Sequence, residues 1–78
     1  MQDRFENEPS RSVRLTPREE QVAVLLATGL TARAVAGRLM ISADTVRTHT
    51  RSIFLKLGVR NRVELAGRMF RMQQGVRE

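Results

Sequence analysis

Apolar residues recur along this chain with the spacing of helices, and each run begins at a residue that caps one. In "LTPREEQVAVLLATG", Val22, Leu25, Leu26 and Ala23 form a stripe at helical spacing. Thr16 stands as the cap before it, Pro17 suits the first helical position, and Glu19 sits third, where an acid meets the positive helix end. Leu15 is placed to staple against the following turn, and Gly29 is placed to stop the helix. A second run opens on Thr31 and carries Ala32, Val35, Ala36 and Leu39. Its small residues Ala34, Ala36 and Gly37 would let a neighbouring helix approach closely. Only "MIS" joins it to the next cap, Ser42, without glycine or proline, so the spacing predicts a tight turn and a helix-turn-helix pair.

The third run, "SADTVRTHTRSIFLKL", has two characters. Stepped at about 100° per residue, Val46, Ile53 and Leu57 fall within about 20° of one another, with Phe54 at their flank. Asp44, Arg47, Thr48, Arg51 and Leu55 fall on the opposite half. One face is thus made for a core, while the other carries long donors and hydroxyls near the N-terminal half. Gly58 is placed as a C-cap. Asn61 with Glu64 three residues on is a capping-box variant, opening a fourth helix that is expected to end near Gln74, with Gly75 as its stop. That helix has two apolar stripes: Leu65, Met69, Met72 and Val76 form one, and Val63, Ala66 and Phe70 the other. One must cover the core. The methionine-bearing stripe is the expected contact with a second copy, since methionine adapts to a neighbour; a single broad buried face using both is the competing reading.

No alternating run is long enough for a strand. The expected class is all-α, a four-helix domain with a central helix-turn-helix. Its boundaries are read as a flexible tail or linker over 1–14, the folded domain over 15–75, and a C-terminal tail over 76–78.

Charge sharpens the picture. The formal net charge is +6 over 78 residues, and it is unevenly spread. Residues 1–14 hold three arginines against three acids, so the whole excess lies beyond them; over 30–78 ten Lys/Arg face three Asp/Glu, a net +7. A small basic domain implies a polyanionic partner, most simply nucleic acid. Thirteen of the fourteen cations are arginine. That suits bidentate contacts to phosphate and guanine, and equally follows from a GC-rich coding sequence.

Several chemistries lack their residues. There is no cysteine and one histidine, so a metal site is not expected. Glu19 and Glu20 are neighbours pointing apart, no glycine-rich phosphate loop is present, and nothing fixes a tautomer for His49 beside Ser42 or Ser52. No enzyme, cofactor or small-molecule ligand is expected. No apolar run of membrane-spanning length and no secretory signal is seen, and a soluble cytoplasmic protein is the expectation. A major-groove recognition helix needs an embedded back and long donors in front, which the third run has; Arg47 and Arg51 standing merely in solvent is the plainer alternative.

From Leu15 to Ala66 the chain resembles the LuxR-type (NarL/FixJ, GerE) helix-turn-helix domain of bacterial transcription regulators. The resemblance rests on LTPRE at 15–19, Ala27 and Gly29, Ala36 and Leu39, and Ser42 with Thr45 and Val46. It continues through His49, Ile53, Lys56 to Val59, and Arg62. It implies a tetrahelical output domain whose second and third helices bind duplex DNA. Matched positions make Arg47, Thr48 and Arg51 base-contacting, and put Thr31, Thr45, His49 and Lys56 where the family contacts or supports the phosphate backbone. It also implies a homodimer, often through the last helix, behind a receiver or ligand-sensing domain, as in a response regulator. The chain departs from the family at Gln21, Ala23 and Ala34, at the small Thr48 and Thr50, and at the apolar Leu55. Two further readings remain: a protein-interaction module docking on RNA polymerase or another regulator, and a coating of nucleic acid without sequence preference. The chain is read either as an excised output domain or as a stand-alone regulator.

Overall fold

A computed structural model describes the backbone of residues 14–76 and the side chains of 14–72. Four helices follow in order: α1 (Pro17–Ala27), α2 (Ala32–Leu39), α3 (Ala43–Leu57) and α4 (Arg62–Val76). No strand occurs among the described residues, in keeping with the expected all-α class.

Each helix starts where its cap predicts. Glu19 N–H donates to Thr16 Oγ1 at 3.1 Å and Thr16 N–H donates back to Glu19 Oε1 at 2.9 Å, completing the capping box of α1. Thr31 accepts from Ala34 N–H at 3.0 Å and Ser42 from Thr45 N–H at 3.0 Å. At α4, Asn61 Oδ1 accepts from Glu64 N–H at 2.9 Å, while the Glu64 carboxylate reaches Arg60 N–H at 2.8 Å. The reciprocal bond thus lands one residue before the cap.

The turn between α2 and α3 is closed by a conformation that the sequence does not announce. Met40 adopts φ 60°, in the left-handed region, and Ile41 N–H returns to Ala36 O at 3.0 Å. Gly58 makes the corresponding turn after α3 at φ 68°, with Val59 N–H bonded to Phe54 O at 3.1 Å.

The core draws on every helix. Val22, Val35, Val46, Ile53 and Leu65 are its largest fully enclosed side chains, joined by Ala23, Leu26, Ala36, Leu57, Val59 and Met69. α1 packs on α3 and α4, and α2 on α3, so the buried stripe of α3 is seated and its other half faces out. In α1, Ala23 is enclosed whereas Leu25 is only half-buried.

Two expectations for α4 are corrected. The helix runs through Gly75 to Val76, because a glycine weakens a helix without ending it when the backbone keeps its bonds. More consequentially, the stripe expected to meet a second copy is the one turned inward. Leu65 and Met69 are buried against α1 and the rest of the core, and only Met72 of the described members reaches the surface. The outward stripe carries Val63, 82% exposed, and Phe70, 62% exposed. The tail expected over 1–14 lies outside the described residues apart from Arg14, as do the side chain of Val76 and residues 77–78.

Candidate nucleic-acid interface

The solvent side of α3 presents Asp44, Thr48, Arg51 and Leu55 in one line, with Arg47 on its flank; all five are exposed. Behind them Val46 and Ile53 are completely enclosed, so the line is held on a helix that cannot roll without opening the core. At the N-terminal end, the Arg47 guanidinium donates through Nη1 to Asp44 Oδ1 at 2.9 Å. Arg51 is exposed and makes no hydrogen bond or ion pair among the described residues.

The threonines behave differently from one another. Thr48 lies on the outward line, but its hydroxyl donates to Asp44 O at 3.1 Å. What it offers a partner is an acceptor lone pair and a methyl group. Thr50 is half-buried, donates to Val46 O at 2.8 Å, and lies off the outward face. At about 40° from Val46 it turns toward α2, and there it lines a shallow recess with Thr31, Arg47 and Arg62. Arg62 also donates to the carbonyl of Leu30, tying the start of α4 to the α1–α2 connection. Thr31 and Thr45 are exposed at the N-terminal ends of α2 and α3. Thr45 Oγ1 accepts from Ser42 Oγ at 2.9 Å. His49 is half-buried at the edge of the α3 core stripe.

Lys56 is engaged within the fold. Its ammonium donates to Glu19 Oε1 at 2.8 Å and to Arg14 O at 3.4 Å, and its side chain is 24% exposed. Ser52 Oγ donates to Glu19 Oε2 at 2.7 Å. The carboxylate of Glu19, in α1, therefore gathers two side chains of α3 and the capping amide of Thr16. Burial pushes the Glu19 carboxyl up, but the hydrogen bonds from Lys56, Ser52 and Thr16, with the ammonium charge, outweigh it and bring it from 4.5 to about 2. The pair belongs to the joint between α1 and α3. Sequence reasoning left Glu19 as a cap and missed this role. The signal was a solitary lysine among thirteen arginines, on the flank of α3 rather than its outward line. Asp44 was also passed over, although an acid three residues before an arginine on a helix is a pairing signal.

Among the described residues no group of three or more His, Cys, Asp or Glu side chains is placed to hold a metal ion. Nor is any described helix long and apolar enough to cross a membrane.

Comparison with known proteins decides the family. Residues 13–69 match the model of the bacterial regulatory proteins, luxR family. The chain belongs to the LuxR family. The transcriptional regulatory protein UhpA of Escherichia coli is 50% identical over 56 residues, covering 72% of this chain and 29% of UhpA. The HTH-type transcriptional regulator MalT of Serratia proteamaculans is 43% identical over 54 residues, 69% of this chain and 6% of MalT. A putative HTH-type transcriptional regulator of Mycobacterium tuberculosis strain H37Rv is 43% identical over 51 residues, 65% of this chain and 6% of that protein. The chain thus spans under a third of the length of these relatives. LuxR-family domains are DNA-binding modules of transcription regulation and not enzymes, which accords with a chain built around an exposed, basic helix-turn-helix.

Proposed function

We propose that this LuxR-family domain reads duplex DNA in a sequence-specific way, with the N-terminal half of α3 in the major groove. The observation that carries the reading is the division of α3: Val46, Ile53 and Leu57 are buried behind an exposed line bearing Thr48 and Arg51, with Arg47 beside it. A groove admits one helix, and side chains at its leading end reach base edges. Arg47, Thr48 and Arg51 are the base-contacting residues. Thr31 and Thr45, at helix N-termini where backbone amides and the helix dipole favour an anion, take the phosphates on either side. His49 supports the backbone side. Lys56 acts from within, by fixing α3 on α1.

The domain acts as a homodimer through α4. Val63 and Phe70, one helical face apart by seven residues and both exposed, form the contact, with Met72 at its border. Such a patch is small, so the dimer is weak in solution and strengthened when two copies lie on adjacent half-sites. The domain works in the cytoplasm on double-stranded DNA.

Selection of binding sites from random duplexes tests the reading. A defined motif is expected with the wild-type chain, and Arg51→Ala should relax it at one base pair at a cost of about 1–3 kcal/mol. Enrichment of no motif, with binding that depends on salt alone, would replace this reading by non-specific coating. A second reading has one observation in its favour: Leu55, 77% exposed on the same line, is an unusual group to offer a groove. If α3 docks on RNA polymerase instead, Leu55→Glu abolishes polymerase capture and leaves the duplex selection unchanged.

A further inference from the structure

The acid on the outward face of α3 is Asp44, and its place is particular. Around the helix axis Arg47 leaves the backbone about 60° away from Asp44, on the side of the recess that it lines together with Thr31, Thr50 and Arg62. An unrestrained guanidinium there would stand among hydroxyls and a second arginine, surroundings that suit a backbone phosphate. Arg47 borders that recess, and the bond from its Nη1 to Asp44 Oδ1 ties the guanidinium to the first turn of α3, at the side nearer the outward face. One nitrogen is partly occupied; Nη2, Nε and the remaining Nη1 proton still provide a two-donor edge.

The carboxylate has a second effect. Asp44 is 94% exposed beside the surface that takes a polyanion. A negative charge there weakens binding to every duplex alike. It is offset only where Arg47 finds a matching base edge, which for a two-donor fork is O6 and N7 of guanine.

Given the groove reading of α3 above, on which this rests, we propose that Asp44 is a positioning residue for specificity. It holds Arg47 on the base-reading side of α3 and away from the phosphates, exchanging affinity for discrimination.

The test uses the full 78-residue chain and its Asp44→Ala, Asp44→Glu and Arg47→Ala variants. Each is taken through the random-duplex selection, then titrated against a selected and an unrelated duplex over a salt series, with thermal melting run alongside. Arg47→Ala should lose the preference at one base pair, which defines the position Arg47 reads. Asp44→Ala should lower discrimination at that same base pair about tenfold and bind the unrelated duplex more tightly. Its log–log salt slope should steepen by about 0.9, one phosphate contact. Asp44→Glu, which keeps an acid within reach, should retain part of the discrimination. Unchanged preference in Asp44→Ala, where Arg47→Ala has lost it, overturns the role of Asp44 and leaves the reading of α3 standing. Weaker binding of Asp44→Ala to both duplexes, with a lowered melting temperature, marks a merely structural residue and also overturns it. If Arg47→Ala keeps every preference, the base-reading role of Arg47 fails and the proposal falls with it.

Discussion

Glu19 in α1 and Lys56 in α3 meet at 2.8 Å, thirty-seven residues apart in the chain, and their contact ties α3 to α1. The carboxylate is buried, with Ser52 and the Thr16 amide on its remaining lone pairs, whereas the ammonium keeps some access to water. Removing the cation leaves a carboxylate with less than it needs. Lys56→Ala should therefore destabilise the fold by about 2 kcal/mol, below the range for a fully enclosed pair because Lys56 is partly solvated. Urea unfolding followed by circular dichroism measures this. Any loss of DNA binding by Lys56→Ala should follow the unfolded fraction and leave the salt slope at its wild-type value; a slope lowered by one contact would restore Lys56 as a phosphate ligand.

The same carboxylate makes the fold sensitive to acid. Its folded pKa, about 2, lies below the ordinary 4.5. The group therefore contributes stability that is fully present above about pH 4.5 and is lost as pH falls toward 2. Integrated over that window the contribution is about 2–3 kcal/mol, discounted for the partly exposed partner. Unfolding free energy measured from pH 6 to pH 2.5 should fall along this curve in the wild type and be flatter in Glu19→Gln. An equal slope in both proteins would assign the acid sensitivity to other carboxylates.

How much of this was legible beforehand differs between the elements. Caps and glycines are local chemistry, so Thr16, Thr31, Ser42 and Asn61 marked the helix starts, and the 3.6-residue period marked the buried stripe of α3. α4 shows where periodicity stops. It carries apolar residues on two faces, and period alone does not say which faces inward; the packing of α4 on α1 decided for Leu65 and Met69. Tertiary partners were equally hidden. Glu19 satisfied a local rule as the third residue of a capping box, and nothing in that rule shows its other oxygen serving Ser52.

The sorting of α4 can be checked by pairing two truncations. Leu65 is fully enclosed, so Leu65→Ala removes buried methyl groups and leaves a void, at a cost of about 2–5 kcal/mol. Phe70, 62% exposed, has little folded-state burial to lose. Phe70→Ala should leave the unfolding midpoint nearly unchanged while reducing self-association in sedimentation at high protein concentration and cooperative binding to a two-half-site duplex. If Phe70→Ala instead unfolds the domain and leaves association intact, the outward stripe is misassigned.

Met40 provides the last case. It is the one described residue other than glycine with positive φ, at 60°, and it is 89% exposed. A left-handed conformation costs a residue with a Cβ about 1–2 kcal/mol, and here no buried contact of the side chain offsets it. Glycine removes that penalty but adds freedom to the unfolded chain, returning about 0.5–1 kcal/mol. Met40→Gly should thus be neutral to stabilising, by up to about 1 kcal/mol, although most single substitutions lower stability. Asn tolerates the same region and should fall between the two. Val, branched at Cβ, should be worse than Met by more than its smaller surface accounts for. Thermal melts of the wild type and the three variants order the turn by backbone preference alone: Gly, Asn, Met, Val. An order that followed side-chain hydrophobicity instead would show that Met40 is held by contacts, and that the turn is set by packing and not by its φ.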